Sequence, residues 1–383
     1  MSSWRECKLG EVAEITSSKR IFYSEYVPSG IPFWRSKEVI EKFNRKKIST
    51  DLFISHDKYQ EIKSKFGVPQ QNDILLTSVG TLGIPYLVQH DEQFYFKDGN
   101  LTWIKNIDNE LLDPIFLFKW LSSSVGKESL REITIGSTQE ALTIAGLKTL
   151  ELLLPPLEEQ RAIAEVLSSL DDKIDLLHRQ NKTLEDLAQT LFRQWFIEEA
   201  REEWEEVTLS DVMELKYGKD HKHLNDGKVP IYGSGGIMRY GDTAIYNQES
   251  ILIPRKGTLN NIFYVDEPFW TVDTIFWSKI NSEKISGKLL FEFLKTLNFS
   301  NMNVGSAVPS LTTKVLNEIS FALPSLQEQE KFKIYTDNAW DKIKQNQKQI
   351  QTLENLRDTL LPKLLSGEVR VNQSKERTSI CNK

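Results

Sequence analysis

Pro155-Pro156-Leu157-Glu158-Glu159-Gln160 returns 169 residues later (324 − 155) as Pro324-Ser325-Leu326-Gln327-Glu328-Gln329. The same offset carries Gly136-Ser137 onto Gly305-Ser306, Leu142-Thr143 onto Leu311-Thr312, Asp172-Lys173-Ile174 onto Asp341-Lys342-Ile343, and Thr183-Leu184-Glu185 onto Thr352-Leu353-Glu354. Further upstream the offset drifts. Gly80-Thr81-Leu82 matches Gly257-Thr258-Leu259 at 177 (257 − 80), and Trp4, Leu9, Val12 and Glu14 match Trp204, Leu209, Val212 and Glu214 at 200 (204 − 4). A drifting offset marks loops of unequal length, and a constant one marks helices of equal length. The chain is one unit duplicated.

Each unit has two parts. Residues 1–155 and 201–323 mix short β-rich runs, such as Asp73 to Val79 and Ser250 to Ile253, with helical patches and Gly, Pro and Asn punctuation. Residues 156–200 and 324–370 are polar–apolar periodic, and 371–383 reads as a flexible tail. In the first periodic segment Leu170, Ile174, Leu177, Asn181, Leu184, Leu187 and Leu191 fall on one helical face. The second gives Ile343, Asn346, Ile350, Leu353, Leu356 and Leu360. About 40 residues at 1.5 Å each make a rod of roughly 60 Å. Such a helix cannot bury its own seam, so the economical arrangement packs the two together; the alternative lays each on its own domain. One Asn per seam, at different levels of the repeat, is the kind of polar residue that fixes register. The fold class is α+β: two mixed domains, each followed by a long helix.

Composition bounds the function. With 383 residues, 39% hydrophobic and 27% charged, the chain fits a soluble protein of about two domains. It contains no run approaching a membrane span, and Met1 to Glu6 lacks a signal peptide's apolar core, so a cytoplasmic location with no membrane partner is expected. Cys7 and Cys381 have neither disulfide-framework nor metal-ligand spacing. Phosphate loops, GxGxxG turns, GxSxG elbows and HExxH pairs are all missing. His221-Lys222-His223 and Gly233-Ser234-Gly235-Gly236 read as exposed loops. The sequence therefore reads as a binding protein, with no catalytic residues and no metal site.

Net charge is −6, which disfavours a nucleic-acid partner until its distribution is considered. Residues 1–155 hold 19 basic and 20 acidic side chains and residues 201–323 hold 13 and 16, so the domains are close to neutral. Their cations gather in turn-rich segments: Lys19-Arg20, Arg35 with Lys37, Arg45-Lys46-Lys47, Lys219 to Lys222, and Arg255-Lys256 ahead of Asn260-Asn261. Aromatic neighbours accompany several, as in Phe33-Trp34-Arg35, Tyr217-Gly218-Lys219 and Tyr232-Gly233-Ser234. Cations for phosphates beside planar and amide groups for base edges are what DNA contact needs. A two-domain scaffold that binds glycan or peptide, or a standalone nuclease or methyltransferase, stays open on these features alone.

In their order along the chain these stretches resemble the specificity subunits of type I restriction–modification systems. The resemblance is carried by Leu153 to Ala164 and its counterpart Leu323 to Gln329, by Ile253 to Tyr264 followed by Phe269 to Thr274, and by Leu364-Leu365-Ser366-Gly367-Glu368-Val369-Arg370. It implies two target-recognition domains joined by two long antiparallel helices acting as a spacer, with pseudo-twofold symmetry. Each domain would read one half of a split double-stranded DNA site. The helices would dock two adenine methyltransferase subunits, and restriction/translocase subunits would join them. S-adenosylmethionine, ATP and Mg2+ would then belong to those partners, with no cofactor in this chain. Candidate DNA contacts are Tyr217, Lys219, Lys222, Ser234, Arg255, Lys256, Asn260 and Asn261 in the second copy, and Lys19, Arg20, Arg35, Lys37, Ser78 and Thr81 in the first. The first copy departs from the pattern, since Thr77-Ser78-Val79-Gly80 lacks the Arg-Lys pair.

Overall fold

The computed structural model describes residues 4–136, 140–302 and 310–371. The repeated residues Ser137, Gly305 and Ser306, Cys381, and the expected tail from residue 372 onward lie outside the described residues. The chain divides into two compact units, Met1–Asp175 with Ile350–Lys383, and Leu176–Gln349. Each unit therefore holds one globular domain and a portion of both long helices, Leu157–Arg193 and Leu326–Leu365.

The domains share one strand plan. In the first, Glu14–Thr16, Leu101–Lys105, Ile74–Thr77 and Pro85–Leu87 form an antiparallel sheet in that spatial order. The second repeats it with Met213–Tyr217, Ile275–Ile280, Ser250–Pro254 and Phe263–Val265. A second sheet contains a parallel pair in each copy, Ile31–Trp34 beside Tyr95–Phe96 and Asp226–Gly233 beside Trp270–Thr271. The central strands Ile74–Thr77 and Ser250–Pro254 are buried along their whole length; their apolar residues fill both faces, and the buried hydroxyls of Thr77 and Ser250 are hydrogen-bonded.

The stretch that opens the repeat proves to be a stitch between domain and helix. Gln160 and Gln329 are buried, and each amide spans the same three groups. Gln160 Nε2 donates to the carbonyls of Leu111 and Pro155 while its Oε1 accepts from the Asp113 amide, each at 2.9 Å. Gln329 Nε2 donates to Lys284 and Pro324 at 3.0 Å, and its Oε1 accepts from Ser286 at 3.2 Å. The neighbouring glutamates repeat as well. Arg370 reaches Glu159 at 3.3 Å, and Arg201 reaches Glu328 at 3.0 Å, one repeat apart.

Within each unit the two helix portions run antiparallel. In the second unit Asn181 faces Asn346 while Phe192 meets Phe332; in the first, Asp171 meets Arg357 while Ile163 shares a core with Leu364. Of the expected seam, Ile174, Leu177, Asn181, Ile343, Asn346 and Ile350 are buried, and Leu170, Leu184, Leu191, Leu353 and Leu360 are half-buried. Two positions read into that face are corrected. Leu187 and Leu356 are exposed, because the buried line steps from Leu184 to Ala188 and Phe192, and from Leu353 to Arg357 and Leu360. A 3.6-residue turn drifts from a strict heptad over this length. The asparagines stand at different levels of the repeat yet oppose one another, with Asn346 Nδ2 donating to Asn181 Oδ1 at 2.8 Å. An antiparallel pair aligns early residues of one helix with late residues of the other, which the repeat alignment does not display.

Candidate nucleic-acid interface

The second domain gathers its candidates through three loops. Strand Ser250–Pro254 delivers Arg255 and Lys256; the Arg255 amide donates to the Thr274 carbonyl at 2.8 Å, and the Arg255 carbonyl accepts from Leu311 N at 2.9 Å. Gly257 follows at φ +86°, a left-handed turn that glycine adopts without strain. Its open side faces Ser234, and Asn261 Nδ2 donates to the Ser234 carbonyl at 2.8 Å, so the turn after Gly233 and the loop after Arg255 are tied. The third loop follows Tyr217. The Arg255 guanidinium lies over the Tyr217 ring at 5.4 Å and its Nη1 is 3.4 Å from the Asp273 carbonyl.

These loops border an open cleft of about 820 Å³ lined by Lys222, Ser234, Met238 and Thr274, with Asp220 and Asp273 among them. Lys222 and Ser234 line the cleft, Asn261 is tied to Ser234, and Arg255 stacks on Tyr217, while Lys219 and Lys256 stand on the same loops. Lys219, Lys222 and Lys256 are exposed, and none of these three side chains nor Arg255 has a carboxylate partner among the described residues. Asn260 turns elsewhere: its amide bonds Asn298 Oδ1 at 3.3 Å and accepts from Ser300 N at 3.2 Å, bracing a neighbouring loop.

The first domain keeps the backbone and changes the charges. Ser78 N donates to the Asn100 carbonyl and Leu142 N to the Ser78 carbonyl, at 2.8 and 3.0 Å, matching the Arg255 contacts. Gly80 repeats the left-handed turn at φ +82°, leaving Thr81 exposed. Ser78 itself is buried, its hydroxyl 2.6 Å from Thr102 Oγ1. It was expected on the DNA-facing surface, but a hydroxyl bonded inward from a central strand presents nothing to a base edge. Arg20 is paired with Asp98 at 2.9 Å, and Arg35 with Glu38 and Asp51 at 2.9 and 2.8 Å. The hydrogen bond that Arg35 donates to buried Glu38 raises the Arg35 pKa further. Lys19 and Lys37 have no carboxylate partner among the described residues; Lys19 Nζ sits 5.4 Å over the Phe66 ring, and Lys37 Nζ donates to the Ser49 carbonyl at 3.3 Å.

The model of the type I restriction modification DNA specificity domain matches this chain twice, at residues 1–186 and 201–355. The chain belongs to that family. As a DNA specificity subunit it has relatives across distant organisms. It is 28% identical to the MjaIX type I restriction enzyme specificity subunit of Methanocaldococcus jannaschii, over 78% of each chain. With a putative type I specificity subunit of Mycoplasma genitalium it shares 27% identity over 86% of this chain and 93% of the other. Among solved structures, the S subunit of a type I restriction–modification system from M. genitalium aligns over 94% of this chain with a TM-score of 0.62 at 22% identity, which shows a shared fold.

Sequence reasoning passed over two parts of the specificity subunit's face. Arg239 anchors the loop carrying Lys222 by donating to the His221 and Leu224 carbonyls at 2.6 and 3.0 Å. Asp273 lines the cleft beside Arg255. Neither stands in a cationic run of the sequence. Among the described residues no group of three or more His, Cys, Asp and Glu could hold a metal, and no helix is long and apolar enough to cross a membrane.

Proposed function

We propose that this specificity subunit reads a split double-stranded DNA site, one half with each domain, and that its long helices space the halves and dock two adenine methyltransferase subunits and the restriction/translocase subunits. The observation that carries the reading is the second-domain face, where braced loops hold Lys222 at a cleft and Arg255 against Tyr217 and the Asp273 carbonyl, neither cation having a carboxylate partner among the described residues. Phosphate contacts position a protein on the duplex, and base-edge contacts specify the sequence. In this reading catalysis, S-adenosylmethionine, ATP and Mg2+ belong to the partner subunits, and the complex works in the cytoplasm.

Co-expression with its methyltransferase subunit, followed by methylome sequencing, tests this. A two-part adenine-methylated motif is expected, with half-sites of about 3–5 bp whose centres lie roughly one turn apart. Inserting four residues after Thr183, about 6 Å of helix, is expected to lengthen the unread gap by one or two base pairs and leave both half-sites unchanged. A continuous motif, or methyl transfer by the purified chain alone, would contradict the proposal.

A further inference from the structure

The most informative difference between the two faces lies in their anions. In the first domain Asp98 follows the strand Tyr95–Phe96 and is neutralised by Arg20 at 2.9 Å. In the second, Asp273 follows the matching strand Trp270–Thr271, and the position of Arg20 in the repeat (220 − 20 = 200) holds Asp220. The cation of the pair has become a second carboxylate. Both carboxylates line the cleft, and the Asp273 side chain is exposed with no ion-pair or hydrogen-bond partner among the described residues.

An unpaired anion is out of place on a surface built to meet phosphates. It is repelled by the DNA backbone and returns nothing, unless a hydrogen-bond donor of the DNA reaches it. In the major groove the only donors are exocyclic amino groups, N4 of cytosine and N6 of adenine. The surroundings allow such an approach, because Arg255 Nη1 lies 3.4 Å from the Asp273 carbonyl and Lys222 lines the same cleft, two positive charges that offset phosphate repulsion.

We infer that Asp273 is a base-reading residue of the second domain, accepting a hydrogen bond from the exocyclic amino group of a cytosine or adenine in that domain's half-site. Asp220 stands second at the same cleft, where one of its oxygens is already taken by the Lys222 amide at 3.3 Å. The inference rests on the proposed reading of DNA by this domain, and it adds a charged acceptor beside the cations of that surface.

The test uses the complex with its methyltransferase subunits, carrying Asp273→Asn, Asp273→Ala or Arg255→Ala. Asp273→Ala is expected to relax one position of one half-site, a position that is C or A in the wild-type motif. Discrimination there should fall roughly 5- to 150-fold, while affinity for non-specific DNA rises because a negative charge has gone. Duplexes with purine in place of adenine, or uracil in place of cytosine, at that position lack the amino donor and separate the two bases. Wild type should reject the one matching its motif, and the Ala variant should not. A loss of specific and non-specific binding together would assign Asp273 a structural role and overturn the inference. So would an unchanged motif in both Asp273 variants. If Arg255→Ala still alters that half-site, the failure belongs to Asp273 alone; if no variant alters it, the reading of DNA by this face fails as well.

Discussion

Where each globular domain meets the long helices, the two copies solve one problem with opposite chemistry. In the first unit Asp171 collects three cations: Lys119 at 2.5 Å, Arg357 at 3.1 Å and Arg45 at 3.3 Å. The repeat places Trp340 at the position of Asp171 (340 − 171 = 169), and in the second unit that indole packs on Tyr264 and Phe291 with ring centroids 5.2 and 5.6 Å away. The lysine survives in both copies, but Lys288 finds Asp337 at 2.7 Å, three residues earlier on its helix. The faces diverge in the same manner: the arginines of the first, Arg20 and Arg35, are ion-paired, whereas Arg255 of the second has no carboxylate partner among the described residues. Duplication preserved the backbone bonds and the stitching glutamines, and side-chain partners drifted around them. Backbone geometry is shared by every strand and turn of the copy, whereas a partner needs only one compensating change nearby.

The largest effect is expected at the charged joint. Asp171→Ala strands Lys119 and Arg357 against a largely buried site, and breaking such a pair costs about 3–5 kcal/mol. Burial pushes the Asp171 carboxyl up, but Lys119 and Arg357 outweigh it and hold the pKa below the ordinary value. The stabilisation is therefore complete above about pH 4, the unfolded-state value, and is lost as pH falls through the lowered folded value. Denaturant melts of wild type and variant at pH 7 and at pH 3 check this. The gap should shrink with acid, and an equal gap at both would remove Asp171 from the account.

The second unit has the reverse dependence. Glu292 is fully buried, and neither carboxyl oxygen is hydrogen-bonded, although Lys295 Nζ lies 3.3 Å away. Burial drives its pKa up to about 7. The folded state then holds a proton that the unfolded chain releases, so stability declines from about pH 4 through pH 7. Glu292→Gln should stabilise by about 3 kcal/mol at pH 8 and by little at pH 4. A variant equally stable relative to wild type at both pH values would show that the carboxyl is paired.

Much of this organisation was legible before any coordinates. The repeat carries the domain plan, because the residues that recur, Gln160/Gln329 and Gly80/Gly257, meet the same backbone requirements in both copies. The helical seam was legible in its centre, where Ile174, Leu177 and Ile343 are buried, and it failed at Leu187 and Leu356 as the face rotated. The DNA face was readable in part. Lys222 and Ser234 line one cleft, and Ser234 lies against the Gly257 turn that follows Arg255, a turn that local spacing signals. Ser78 is buried and Arg35 is ion-paired, because a sequence shows that a hydroxyl or cation exists and not whether a buried partner such as Thr102 or Glu38 already holds it. Asp273 escaped for the converse reason: its meaning comes from the absence of a partner that the other copy has.

The most direct test compares Arg255→Ala with Arg20→Ala in methylomes of cells carrying the chain and its methyltransferase. Arg255 has no carboxylate partner among the described residues and sits at a cleft, so its loss should relax one half-site by about 1–3 kcal/mol and leave the other half untouched. Arg20 is tied to Asp98, so its loss should leave both halves as they were. Relaxation of both half-sites by Arg255→Ala, or a motif that responds to Arg20→Ala and not to Arg255→Ala, would contradict a division of labour set by which cations are unpaired.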